Sequence, residues 1–220
     1  MTRIRADMHT HCEASKDSRT PVRVQAARIK ESGLDVVCAT DHDTIDGALR
    51  LRELADGYRI VVGEEISTAD GDLIGLFLER AVPPGLPIRE TIARIRDQGG
   101  LVSVPHPFSR NRRHRIRRAA LELVRAEVDC IETFNAREAF AGDNARAAAY
   151  AKTHGIAGAA GSDAHTPWEL GRVYLELDDF SDAASLRQAL PGGVVHGSLA
   201  GLSVHFRTRY DRLRKWLGSR

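Results

Sequence analysis

Ile4-Arg5-Ala6-Asp7-Met8-His9-Thr10-His11 lies close to the start of the chain, and its reading governs everything after it. Ile4-Arg5-Ala6 reads as the end of a first β-strand. Side chains on extended backbone alternate with a period of two, so His9 and His11 point the same way. Their imidazole nitrogens are then near enough to share a metal ion. A His-x-His pair also occurs by chance or on a solvated strand, so the decision rests on the residues farther along.

Working outward, the same pattern recurs. A polar loop over residues 12–20 leads to Thr20-Pro21, which reads as an N-cap and first helical position, with Gly33 as the stop. A strand at 34–39 delivers Thr40-Asp41-His42-Asp43-Thr44, and one at 59–63 delivers Glu64-Glu65-Ile66-Ser67-Thr68. A turn at 69–72 and a strand at 73–78 predict a hairpin. Strands at 101–104, 128–131 and 156–160 then deliver Pro105-His106-Pro107, Glu132-Thr133-Phe134-Asn135 and Gly161-Ser162-Asp163-Ala164-His165. Helical stretches separate them, which argues for parallel βαβ units. In a parallel barrel the strand C-termini share one face, where the site-building loops lie.

Composition sets the outer bounds. With 220 residues, 42% hydrophobic and 28% charged, the chain suits one large α/β domain. It is expected to span residues 1–197, with a basic amphipathic helix at 198–220 packed on it or extending it. A net charge of +2 does not suggest a nucleic-acid coat protein. No apolar run is long enough to span a bilayer, and none precedes the first motif as a signal peptide. Cys12, Cys38 and Cys130 are scattered and give no disulfide framework, so the expected location is cytoplasmic.

The histidines carry the functional signal. Of nine, His9, His11, His42, His106 and His165 fall at predicted strand C-termini, and His114, His154, His196 and His205 do not. With Asp17, Glu65, Asp163 and the further candidate Glu132 they make a nitrogen-and-oxygen donor set without thiolate. Such a set suits Zn²⁺, Mn²⁺ or Fe²⁺. It exceeds the needs of one tetrahedral ion, so two or three divalent ions are expected, an arrangement suited to phosphate ester hydrolysis.

Asp-Met-His-Thr-His, Thr-Asp-His-Asp-Thr, Gly-Glu-Glu-Ile-Ser-Thr, Pro-His-Pro and Gly-Ser-Asp-Ala-His, in this order, resemble the polymerase and histidinol phosphatase (PHP) superfamily. The resemblance runs from about Ile4 to His165. It implies a distorted (β/α)7 TIM-like barrel with a di- or trinuclear metal centre at its C-terminal face, and phosphoesterase activity. Carried over by residue, it places His9, His11 and Asp163 on a first ion. Glu65, the Glu before Ile-Ser, bridges to a second that His106 also binds, and Asp17, His42 and His165 hold the third. Glu132 is proposed as a further ligand of the second ion, with Asn135 or water as its competitors. The loop from His11 to Asp17 is one residue longer than in the near phosphatase relatives.

No catalytic residue is assigned beyond the metal centre. Asp7 and Asp41, each just upstream of a ligand, read as groups that orient imidazoles. Arg110, Arg112 and Arg113, in a run of six arginines up to Arg118, together with Arg172, are the candidate phosphate-binding residues. The same run also reads as a solvated surface. Cys12 reads as passive, and Trp168 as either a pocket wall or a packed side chain. In the C-terminal segment Leu199, Leu202, Phe206, Tyr210, Leu213 and Leu217 form an apolar stripe among Arg207, Arg209, Arg212, Arg214 and Lys215. The stripe is expected to pack on its own domain.

The expected function is hydrolysis of a small phosphorylated metabolite, a nucleotide or sugar phosphate, by a hydroxide held between metals. The alternatives are a nuclease on short oligonucleotides, a non-catalytic metal-bearing module for nucleic acid or protein, and C–N hydrolysis. Oligomeric state is not legible.

Overall fold

The computed structural model describes residues 2–201 and, beyond them, 204, 206, 208, 210, 214, 215 and 217. Strand β1 (Arg3–Thr10) is the seam of its sheet. The first half of β1 pairs antiparallel with β8 (Val173–Asp178), Arg3 opposite Asp178 and Ala6 opposite Leu175. Its second half meets the residues following β7 (Ala157–Gly161). There Thr10 bridges to Ala164, the His11 N–H donates to the Ala164 carbonyl at 2.9 Å, and the Asp163 N–H donates to the His9 carbonyl at 2.8 Å.

The other strands are β2 (Val36–Ala39), β3 (Arg59–Thr68), β4 (Gly71–Leu76), β5 (Leu101–Val104), β6 (Cys130–Asn135) and β9 (Val194–Gly197). Together they form a nine-stranded sheet ordered β7-β6-β5-β4-β3-β2-β1-β8-β9. Contact between the ends of β1 and β7 nearly closes it. The distorted barrel expected from the resemblance is therefore present, with β4, β8 and β9 running antiparallel to their neighbours. Helices α1 (Val22–Ser32), α2 (Asp46–Glu53), α3 (Ile88–Arg96), α4 (Arg118–Val124), α5 (Ala141–His154) and α6 (Ala183–Ala189) connect the strands.

Period-two alternation sorts the strand residues into two apolar layers. Val36, Cys38, Val61, Ile74 and Leu76 lie in the inner cluster, while Val37, Ala39, Val62, Ile66 and Leu73 pack outward with residues of α1, α2 and α3. Glu65 continues the inner parity of Val61, and Glu64 shares the outer parity of Val62 and Ile66. The β1–β2 register shifts between Asp7 and Thr10, the kind of irregularity that re-aims side chains, and it falls on His9.

Three boundaries differ from expectation. β3 runs on through Thr68 because its hairpin partner β4 prolongs the pairing, so Glu64 and Glu65 lie within a strand. Thr20 does not cap α1. Its hydroxyl donates to the His165 carbonyl at 2.9 Å, tying the first loop to the last motif. β9 has no apolar alternation, being mostly exposed, and no sequence signal marked it. Gly33 ends α1 as expected, at φ 73°, where a side chain is disfavoured.

Candidate metal centre

Strand ends and the loops after them bring eight of the nine expected ligands around two carboxylates, Glu65 and Asp163. His106 Nε2 lies 2.9 Å from Glu65 Oε1, while His9 Nε2, His11 Nε2 and His42 Nδ1 each lie 3.3 Å from Glu65 Oε2. Asp163 Oδ1 faces His11 Nε2 at 3.3 Å, His165 Nδ1 at 3.4 Å and His9 Nε2 at 3.8 Å. Asp17 joins the far side, 3.2 Å from His165 Nε2 and 3.5 Å from His42 Nε2. Among the described residues three groups have converging donor atoms: His9, His11 and Asp163; His9, Glu65 and His106; His11, His42 and His165.

The second ring nitrogens show that this set fits metal. His9 Nδ1 is 3.2 Å from Glu132 Oε1, His11 Nδ1 is 3.3 Å from Ser15 Oγ, and His165 Nδ1 is 2.8 Å from the Asp163 carbonyl. Each is an anchor that fixes a proton on Nδ1 and leaves the Nε2 lone pair facing inward. His9 Nε2 and His11 Nε2 consequently meet lone pair to lone pair at 3.0 Å. Asp163 Oδ1, His42 Nδ1 and His106 Nδ1 are buried without a hydrogen-bond partner among the described residues. Buried polar atoms left without a partner are costly, and a cation among them would satisfy them.

Charge agrees. Asp17, Glu65, Glu132 and Asp163 are buried together, with the Arg112 guanidinium paired to Asp163 and that of Arg137 on the Asp163 carbonyl. Burial opposes charge on Glu65, yet His42 and His9 hold its carboxyl well below the usual range. Burial likewise opposes charge on Asp163, which Arg112 and His9 hold low. Burial also works against protonation of His42, but Glu65 and Asp17 raise it to about 9. His11 goes the other way, down to about 3, through burial and the neighbouring charge of His165. His106 (φ 31°) and Asp163 (φ 52°) hold left-handed backbone that non-glycine residues avoid, a strain characteristic of functional sites.

Glu132 occupies a different place from the one expected. It stands behind His9, and its other oxygen accepts from the His106 N–H at 2.8 Å and from Asn135 Nδ2 at 3.0 Å. With both oxygens engaged it anchors the His9 imidazole and the His106 backbone, and it is outside the three donor groups. Asp7 and Asp41 brace backbone rather than imidazoles. Asp7 accepts from the Ser162 N–H at 2.9 Å and the His9 N–H at 3.3 Å, and burial raises it to about 7. Asp41 accepts from the Cys12 N–H at 2.6 Å and the Cys12 thiol at 2.9 Å. Burial and Asp41 push that thiol far up, so Cys12 is passive as expected.

Of the four arginines, Arg112 reaches the centre. Its Nη2 pairs with Asp163 Oδ2 and lies 3.3 Å from Asn135 Oδ1. Arg110 is drawn off to Asp143 at 2.9 Å and over the Phe140 ring, Arg172 donates to the Trp168 carbonyl at 3.0 Å, and Arg113 is exposed. Trp168 is 68% exposed, so it packs little.

The residue missed from sequence is Ser15, which donates to Asp17 Oδ1 at 3.1 Å beside His11 and accepts from the His42 N–H at 3.2 Å; Asn135, weighed above as a rival ligand to Glu132, links Glu132 to Asp163 instead. A serine two residues before Asp17 was the available signal. In the C-terminal segment Leu202, Leu213, Arg207, Arg209 and Arg212 lie outside the described residues. Phe206, Tyr210 and Leu217 are exposed. Thr208 accepts from Arg137 at 2.5 Å, and Lys215 donates to the Glu13 and Ser15 carbonyls at 2.6 and 2.5 Å, on the loop that carries Asp17.

Comparison with known proteins places this geometry among relatives. A family model described as PHP-associated matches residues 141–195. The uncharacterized protein MJ0417 of Methanocaldococcus jannaschii is 34% identical over 182 residues, covering 81% of this chain and 72% of that one. A two-domain protein of Bacteroides vulgatus, described as containing a predicted PHP-like metal-dependent phosphoesterase, superposes with a TM-score of 0.70 at 17% identity. The match covers 90% of this chain and 65% of that one. A lesion-specific endonuclease of Pyrococcus furiosus superposes with a TM-score of 0.61 at 16% identity, covering 89% and 57%. No helix among the described residues is long and apolar enough to cross a membrane.

Proposed function

The chain belongs to the PHP superfamily, and from that premise we propose that it is a metal-dependent phosphoesterase acting on a small phosphorylated metabolite. The observation that carries the reading is the inward convergence of anchored imidazoles on Glu65 and Asp163, with the Arg112 guanidinium beside them. His9, His11, His42, His106, His165, Asp17, Glu65 and Asp163 would hold two or three divalent ions, of manganese, zinc or iron. Such ions supply Lewis acidity toward phosphoryl oxygens and make water acidic enough to ionise near neutral pH.

The protein's own groups do the rest. Glu132, Ser15 and the Asp163 carbonyl fix the imidazole tautomers, so the donor atoms need no reorganisation when substrate arrives. Arg112 binds the non-bridging phosphate oxygens, which its planar fork of N–H donors matches. Glu138, 3.9 Å from Arg112 Nε, and Asn135 keep that fork in place.

The test is hydrolysis of an aryl phosphate and a panel of nucleotide and sugar phosphates. Chelated protein is reloaded separately with Mn²⁺, Zn²⁺ and Fe²⁺, beside a His9→Ala/His106→Ala double variant. Metal-dependent turnover absent from the variant supports the reading. Stoichiometric metal binding without turnover on any ester overturns it.

A further inference from the structure

Phosphate monoester cleavage needs a proton for the departing oxygen, and none of the residues around the centre has yet been given that task. Asp72 is placed for it. It opens β4 directly opposite Ser67 of β3, while Ile74 lies opposite Glu65. Paired residues of an antiparallel ladder share a face, so Asp72 follows Ile74 on the inner wall, one step nearer the mouth than Glu65.

The segment carrying Arg112 lies over this edge. The Asp72 N–H donates to the His114 carbonyl at 2.7 Å, the Arg117 N–H donates to the Asp70 carbonyl at 2.9 Å, and Arg117 pairs with the Asp70 side chain. Gly71 makes the approach possible: at φ 121°, a Cβ there would sit 2.3 Å from Ile116 Cα. Asp72 is 5% exposed, and its Oδ1 has no hydrogen-bond partner among the described residues.

The charged groups that act on it are those of the centre and its rim: Glu65, His42, Lys16 and Arg112. Burial, the largest of the influences on it, favours the protonated carboxyl. The other raised carboxyls are occupied elsewhere. Asp7 and Asp41 hold backbone, Glu64 faces outward onto the Val82 N–H, and Glu138 accepts from Ser109.

We propose that Asp72 is the general acid that protonates the leaving-group oxygen of a phosphate monoester. The assignment rests on the phosphoesterase reading. As water adds to phosphorus and gives up a proton to solvent, the bond from phosphorus to the ester oxygen breaks. Its electron pair stays on that oxygen, which takes the Asp72 proton and leaves as an alcohol. The Asp72 carboxylate then regains a proton from water. General acids of this kind are worth about 10²–10⁴-fold in rate.

The experiment compares an aryl phosphate, whose phenolate leaves without help, with an alkyl phosphate, whose alkoxide does not. Metal-loaded wild type is measured beside Asp72→Asn and Asp72→Ser, so that misfolding of one leaves the other. Metal content is measured on all three. The expected result is full metal content with a loss at least about 100-fold larger on the alkyl than on the aryl ester. Infrared difference spectra at pH 7 should also show a protonated carboxyl band in wild type that both variants lack.

Equal losses on the two esters, or a rate in wild type itself that depends steeply on leaving-group acidity, overturn the assignment while leaving the phosphoesterase reading in place. Absence of the band overturns it as well. If wild type cleaves neither ester, the proposed function has failed, and the Asp72 assignment with it.

Discussion

Glu64 and Glu65 are adjacent, chemically identical and aimed at opposite sides of the same strand, so substituting each by glutamine should produce unrelated phenotypes. Glu65→Gln removes the carboxylate approached by four imidazoles, and should abolish binding of at least one metal ion. Glu64→Gln should leave metal content unchanged and act on stability alone. The Glu64 Oε2 accepts from the Val82 N–H at 2.8 Å, but Oε1 is buried without a partner. Burial, with a smaller contribution from Asp43, lifts its carboxyl from 4.5 to about 7.

A raised acid binds its proton more tightly when folded, so wild type loses stability as pH climbs from the unfolded value through the folded one. That loss is about 0.8 kcal/mol at pH 5 and about 3.3 kcal/mol at pH 8. Glutamine does not ionise, and whatever its amide costs in that pocket is the same at both pH values. The stability of Glu64→Gln relative to wild type should therefore improve by about 2.5 kcal/mol between pH 5 and pH 8. For a chain of this length that is roughly 5–10 °C in Tm. Thermal unfolding of chelated protein followed by circular dichroism reads it directly. A difference between variant and wild type that does not change with pH would refute the reasoning, because Glu64 would then be ionised in the fold without penalty.

Arg112→Ala should lower kcat/KM on phosphate esters by about 10–100-fold, the worth of one or two charge-assisted hydrogen bonds, whereas Arg110→Ala and Arg172→Ala should stay within about threefold. Glu132→Gln should weaken metal affinity by about 10–100-fold without removing an ion, as expected of a group that orients His9; loss of a whole equivalent in metal analysis would make it a ligand instead. Chelation should lower Tm reversibly, the loss of stability being about 2.7 kcal/mol for each ion removed relative to protein with free metal at a hundred times Kd. Gly47→Ala should be strongly destabilising and reduce expression, since a Cβ there would lie 2.0 Å from Asp41 Oδ2 and 2.3 Å from Cys12 Sγ.

What sequence reading could reach was decided by whether a residue's role depends on its own strand or on a neighbour's. The convergence of His9, His11, His106 and Asp163 was legible because a parallel barrel puts every strand end on one face, so position along one's own strand suffices. Glu132 satisfied that criterion too and was taken for a ligand. Its position in the fold is set by two donors, His9 Nδ1 and the His106 N–H, that only the folded neighbours supply.

Asp7 and Asp41 failed for the same reason. Being upstream of a ligand suggested imidazole partners, but the amides of Ser162 and Cys12 are nearer claimants on those carboxylates. The arginine run is the clearest case. Composition made Arg110, Arg112 and Arg113 equivalent, and what separates them is that Asp143 and Phe140 hold one, Asp163 draws in the next, and the third meets solvent.

Asp72 was the least accessible of all, since its place on the inner wall depends on the hairpin register that sets it opposite Ser67. A register slip of one residue would turn it outward and bring Leu73 to the site. The chemistry at the mouth of the barrel is thus fixed by the β3–β4 turn as much as by the ligands. A one-residue insertion in the turn at residues 69–70 tests that directly: it should spare metal binding, which uses the β3 side of the hairpin, while lowering turnover of alkyl phosphates.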